Sequence, residues 1–159
     1  MNALINEIKW DEKGLVPAIA YDVCSGQVVM MAYMNAESLT KTLETGYCTY
    51  FSRSRQCLWQ KGETSGNKQK LISLKLDCDG DTILLEIEQT GAACHTGNKT
   101  CFYRQWKDGA LQPAEASLTI GPAMAQEYSV VAERAKNPVE GSYTNYLLTE
   151  GVEKICKKV

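Results

Sequence analysis

The stretch LISLKLDCDGDTILLEIEQ, residues 71–89, decides the fold. In its first half Ile72, Leu74, Leu76 and Cys78 share one face, and Ser73, Lys75 and Asp77 share the other. After the turn signal Asp79-Gly80 the alternation resumes, with Ile83, Leu85 and Ile87 opposed by Glu86 and Glu88. A period of two is the signature of a half-buried strand, so the stretch predicts a hairpin with an acidic tip. Residues 16–21 and 27–33 predict two further strands around the turn Cys24-Ser25-Gly26. Asn35 suits an N-cap and Gly46 a C-terminal stop, which predicts a helix over 36–45, followed by a strand over 47–51. Residues 61–70 and 91–98 are polar and glycine-bearing, and predict loops.

The chain has 159 residues, enough for one domain with an appendage and for a core that needs no covalent staples. Its formal net charge is -2, so no overall footprint for nucleic acid or an anionic membrane exists. No stretch is apolar for long enough to span a bilayer, and residues 1–10 lack the apolar core of a secretory signal. A reducing, cytoplasmic compartment is therefore expected. There the seven cysteines are read as thiols or metal ligands before disulfides. Cys24, Cys48, Cys57 and Cys156 stand among ordinary neighbours and are expected to be small buried or incidental residues.

Three constellations carry chemistry. The first is Asp77-Cys78-Asp79-Gly80-Asp81, whose crowded carboxylates repel one another unless a cation sits among them. A hard ion such as Mg²⁺ takes oxygen ligands, and a solvated acidic turn is the competing reading. The second is Cys94-His95-Thr96-Gly97 with Cys101. With Cys78 these thiols offer three sulfur ligands, the number at which a catalytic zinc keeps an open position. Incidental thiols fit the spacing equally. His95, the sole histidine, stands beside a candidate ligand, where a proton acceptor is useful. The third joins SRSR, residues 52–55, to WQKGETSGN, residues 59–67. The Arg53 and Arg55 guanidinium forks suit phosphate, Gly62 and Gly66 let backbone N–H groups approach an anion, and Trp59 can stack on a base. A basic turn beside a flexible loop is the alternative.

Taken together and in order, these segments resemble phosphoribosyl-AMP cyclohydrolase. The resemblance runs through KGLVPAI (13–19), VMMAYMN (29–35), SRSR (52–55), WQKGETSGN (59–67), DCDGD (77–81), GAACHTG (91–97) and Cys101-Phe102. It implies a compact, strand-dominated α+β domain that forms an intertwined homodimer, with a short helical C-terminal extension. It implies Zn²⁺ on Cys78, Cys94 and Cys101, with Cys78 coming from the opposite subunit, and Mg²⁺ on Asp77, Asp79 and Asp81. Arg53, Arg55, Trp59, Lys61, Glu63, Thr64, Ser65, Gly66 and Asn67 would surround phosphoribosyl-AMP, and His95 is the expected proton-transfer group. The reaction expected is hydrolytic opening of the adenine ring at N1–C6.

Residues 1–110 form the cyclohydrolase domain in this reading, and 111–125, with Pro113 and Pro122, a linker. Residues 126–159 resemble the first two helices of phosphoribosyl-ATP pyrophosphohydrolase. Their helical spacing predicts one helix over 126–136 and another capped by Ser142, with Gly151 a weak point. That family's metal-binding glutamates fall just beyond the matching segment, so pyrophosphohydrolase activity is expected to be absent. A zinc nucleobase deaminase is the nearest enzymatic rival. It needs His-x-Glu and Pro-Cys-x-x-Cys, neither of which occurs here. A zinc-stabilised binding module with a closed four-ligand site is the non-enzymatic rival.

Overall fold

The computed structural model describes residues 2–114 and 120–157. It forms two units, Met1–Ala116 and Ser117–Val159.

The first unit is an α+β domain dominated by a six-stranded sheet. A short helix, α1 (Asn2–Glu7), precedes strands β1 (Val16–Asp22) and β2 (Gln27–Met34). Helix α2 (Ala36–Thr45) leads to β3 (Thr49–Ser52) and β4 (Cys57–Gln60), and the hairpin is β5 (Gln69–Leu76) with β6 (Ile83–Gln89). A separate two-stranded ribbon, β7 (Arg104–Lys107) and β8 (Ala110–Pro113), follows. The strand order of the main sheet is β4-β3-β2-β1-β6-β5, with β1 and β6 parallel and the other pairs antiparallel.

The alternation read from the sequence builds the core. Val16, Ala18 and Ala20 of β1 and Ile83, Leu85 and Ile87 of β6 all point inward and are fully buried. Met34, Leu39 and Tyr50 join them from β2, α2 and β3. The sheet curls until the chain ahead of β3 meets β5. The Cys48 N–H donates to the Gln69 carbonyl at 2.9 Å, and the Leu71 N–H to the Gly46 carbonyl at 2.8 Å. This closure covers backbone groups of β5 that would otherwise form an open edge.

Helix α2 spans the expected residues because its ends are locally coded. The Asn35 side chain accepts from the Ser38 N–H, and the Ser38 hydroxyl accepts from the Asn35 N–H, a reciprocal cap. Gly46 ends the helix in the left-handed region at φ 72°.

Strand β5 departs from simple alternation. Its register slips between Leu71 and Ser73, leaving Ile72 without a partner on β6 and 48% exposed. Leu71, Leu74 and Leu76 therefore pack on the core, whereas the sequence put Ile72 on the apolar face.

In the second unit α3 (Ile120–Lys136) begins six residues before the helix read from sequence, and β8 occupies part of the stretch read as linker. Ser142 caps α4 (Tyr143–Glu150), and Gly151, at φ 83°, separates it from α5 (Val152–Cys156). Among the described residues no helix is long and apolar enough to cross a membrane.

Candidate active site

The loop after β4 and the loop after β6 are held together as one wall. The Thr90 N–H donates to the Lys68 carbonyl at 2.9 Å, and Lys61 Nζ donates to the Ala93 carbonyl. Asn67 sits between two glycines. A Cβ on Gly62 would lie 2.4 Å from the Asn67 carbonyl carbon, and one on Gly91 would lie 2.3 Å from Asn67 Oδ1. Both glycines also have positive φ, so their place in the sequence has a double physical reason.

Behind this wall runs a polar relay, buried at Tyr50 and Gln69 and reaching the surface at Gln89. The Tyr50 hydroxyl donates to Gln69 Oε1 at 2.7 Å, and Gln69 Nε2 donates to Gln89 Oε1 at 2.8 Å. Gln89 Nε2 then donates to the Thr90 carbonyl at 2.8 Å, at the root of the Cys94 loop. Asp22, itself buried, accepts from the Gln89 N–H at 3.0 Å and from the Ser25 hydroxyl at 2.6 Å.

In front of the wall lies an open cleft of about 430 Å³. It gathers Arg55, Trp59, Lys61, Glu63, Thr64, Ser65 and Asn67 with Cys94 and His95, as the sequence expected of one site. Gly66 is in the same loop, at φ 76°, with open space around it. Arg53 is elsewhere. Its guanidinium lies 3.9 Å from the centre of the Tyr33 ring, in a second concavity of about 420 Å³ that also takes in Phe51, Trp59, Cys101 and Phe102.

The Cys94 thiol is held below its ordinary pKa. The Thr96 hydroxyl donates to its sulfur at 3.0 Å and is the main cause of a lowered pKa. The Thr96 N–H, the neighbouring Cys101 thiol and the Lys61 ammonium act in the same direction against a smaller desolvation cost. Cys101 is raised instead, first by partial burial of its thiol and then by the negative charge on Cys94. His95 Nδ1 is 4.0 Å from Cys94 Sγ and the ring is exposed. Thr96 belongs to the Cys94 constellation in the sequence but carries no role there; its hydroxyl's contact with the Cys94 sulfur gives it one.

Asp77, Asp79 and Asp81 bring one oxygen each to within 4.8 Å of one another, all exposed. Hydrogen bonding outweighs a desolvation effect to hold Asp77 below the usual carboxylate range, with the Thr82 N–H the leading donor at 3.0 Å. The tip is anchored from behind, where the Lys9 N–H donates to the Gly80 carbonyl at 2.7 Å.

Cys78 does not join Cys94 and Cys101 within one chain. It precedes β6, whereas Cys94 follows it, and seven strand residues at about 3.3 Å each put the two ends roughly 20 Å apart. Among the described residues the three aspartates are the one group of three or more metal-type ligands that converges.

Comparison with known proteins identifies the family. The family model described as phosphoribosyl-AMP cyclohydrolase matches residues 30–103. A histidine biosynthesis bifunctional protein HisIE from Caldanaerobacter subterraneus subsp. tengcongensis is 51% identical over 155 residues, covering 98% of this chain and 72% of the relative. The chain belongs to the phosphoribosyl-AMP cyclohydrolase family. Proteins of the same description from Thermoanaerobacter pseudethanolicus and Oceanobacillus iheyensis are 45% and 46% identical, covering 100% and 98% of this chain and 78% and 69% of theirs. The segment matched by the cyclohydrolase family contains both concavities' arginines, the acidic tip, and Cys78, Cys94 and Cys101. The second unit lies outside that segment.

Proposed function

We propose that this protein is a zinc- and magnesium-dependent phosphoribosyl-AMP cyclohydrolase acting in histidine biosynthesis as a homodimer. Family membership supports the reaction, and the observation that carries the site is the cleft that joins Cys94 and His95 to the Arg55 and Lys61 side chains.

The donor chemistry fits both metals. Cys94 and Cys101 are adjacent soft ligands, one already held toward the thiolate form, and they suit Zn²⁺. The partner subunit's Cys78 completes the set in this reading, supported by the separation of Cys78 from the other two thiols in a single chain. Asp77, Asp79 and Asp81 offer three hard oxygens for Mg²⁺. Zinc, when bound, lowers the pKa of water and makes hydroxide available near neutral pH.

The chain's own residues do the rest. Arg53, Arg55 and Lys61 hold phosphate oxygens, and Trp59, seated 5.1 Å from the Tyr50 ring, stacks on the purine. Glu63, Thr64, Ser65, Gly66 and Asn67 frame the ribose and phosphate groups. Water adds at C6, and a proton must reach N1 as the N1–C6 bond breaks. His95, exposed to the cleft beside Cys94, carries that proton. The second unit, Ser117–Val159, lies outside the cyclohydrolase match, and in this reading it is the beginning of the second part that the relatives' bifunctional description implies.

The test is metal analysis and turnover on three variants. Cys94→Ala and Cys101→Ala lose zinc and activity together, and His95→Ala keeps zinc and loses turnover. An active variant without zinc refutes the metal role; full activity of His95→Ala refutes the proton-transfer role.

A further inference from the structure

Two concavities of similar size flank Trp59, about 430 and 420 Å³, and Trp59 lines both. Each has one arginine of the β3–β4 turn: Arg55 in the first, Arg53 in the second. The two are separated by a single residue, and the turn sends their side chains apart. Arg53 goes to the face of Tyr33. Arg55 stays by its own turn, its Nε donating to Ser52 Oγ at 3.4 Å. Among the described residues neither arginine has a carboxylate partner, so both guanidinium forks are available to an anion. The adjacent thiols divide the same way, Cys94 lining the first concavity and Cys101 the second. The boundary between the two spaces is thus occupied by the aromatic ring and the sulfur pair.

The substrate in the cyclohydrolase reading, on which this inference rests, has the matching shape. It is a flat purine with a phosphoribosyl arm at each of two ring nitrogens, and so a phosphate at either extremity. One concavity of this size is at the small end for a complete ligand, and the pair suits a two-armed one. We infer that the purine lies on Trp59 at the boundary, that one phosphoribosyl arm enters the concavity of Arg55, and that the other enters that of Arg53. Specificity for a doubly phosphoribosylated purine over AMP then resides in having two separate arginine subsites. The ring carbon to be attacked is held next to the sulfur pair because both arms are anchored away from it.

The experiment compares Arg53→Gln and Arg55→Gln, each with its lysine counterpart, using phosphoribosyl-AMP as the two-armed probe and AMP as the one-armed probe. Each glutamine variant is expected to lose about 10- to 100-fold in kcat/KM for phosphoribosyl-AMP, the scale of one charge-assisted phosphate contact. Each lysine variant recovers part of that loss, because the charge remains and the fork does not. AMP binding, measured calorimetrically, is weakened about tenfold or more by one glutamine variant only, which identifies its arm. Equal weakening of AMP by both variants, or unchanged turnover of phosphoribosyl-AMP by Arg53→Gln, overturns the two-subsite arrangement. Absence of turnover by the unsubstituted protein instead removes the cyclohydrolase reading beneath it.

Discussion

Gly91→Ala tests whether the two loops of the active-site wall are locked through Asn67. Gly91 has φ +65°, where an alanine costs about 1–2 kcal/mol in left-handed backbone strain. Its new Cβ would stand 2.3 Å from Asn67 Oδ1 and 3.1 Å from Asn67 Cγ, so the amide must shift. Forcing the half-buried Asn67 amide aside adds about 1–3 kcal/mol. Gly66→Ala is the control, because its φ is +76° and nothing lies within 4 Å of the added carbon. The difference between the two variants isolates the close approach, and at roughly 4 °C per kcal/mol it amounts to about 4–12 °C in Tm. Thermal unfolding followed by circular dichroism reads it. Asn67→Ala added to Gly91→Ala removes the obstructing amide and recovers most of the excess, a favourable coupling of about 1–3 kcal/mol. The same addition to Gly62→Ala recovers little, since the atoms 2.4–2.5 Å from that Cβ are backbone. Gly91→Ala no less stable than Gly66→Ala, or equal rescue of both glycine variants, refutes the reasoning.

Other outcomes follow from the same structure. Tyr50→Phe leaves the buried Gln69 Oε1 without its donor and destabilises the protein by about 1–3 kcal/mol, measured by urea unfolding; a neutral change contradicts the relay. Burial pushes the Cys48 thiol from 9.0 up to about 12, so the fold favours the neutral form. The stability this contributes is complete below about pH 9 and is lost as pH rises toward 12. Urea unfolding at pH 8 and pH 10 should show a fall that is shallower in Cys48→Ala; identical slopes would contradict it. Under the proposed shared zinc site, mixing inactive Cys78→Ala with inactive Cys94→Ala restores part of the activity, because a mixed dimer would regain one complete sulfur set. Failure to complement after verified subunit exchange contradicts the shared zinc site.

The parts of the fold coded by neighbours in sequence were the legible ones. Asn35, Ser38 and Gly46 define α2 through local caps, and the β5–β6 hairpin announces itself by its period of two. The β5 bulge was hidden, since Ile72 looks like its neighbours and only the partner strand's register exposes it. Strand β4 was also missed, because Cys57–Gln60 has no alternation of its own and exists by pairing with β3. Helix α1 is too short to stand alone. It is held by Leu4 and Ile5 against the core and by Trp10 Nε1 donating to the Ile5 carbonyl at 3.2 Å. The β7–β8 ribbon carries its own turn signal, Asp108-Gly109, with both residues at positive φ. At the site, spacing brought Lys61, Cys94 and His95 to one cleft. It grouped Arg53 with Arg55 because they are near in sequence, whereas the β3–β4 turn separates their side chains.

The most direct test of the proposed activity is the ultraviolet spectrum of phosphoribosyl-AMP mixed with the purified protein, Zn²⁺ and Mg²⁺. Opening of the purine ring is expected to change the spectrum, with the change abolished by chelator, restored by zinc, and unaccompanied by ammonia. An unchanged spectrum from folded, zinc-loaded dimer would contradict it.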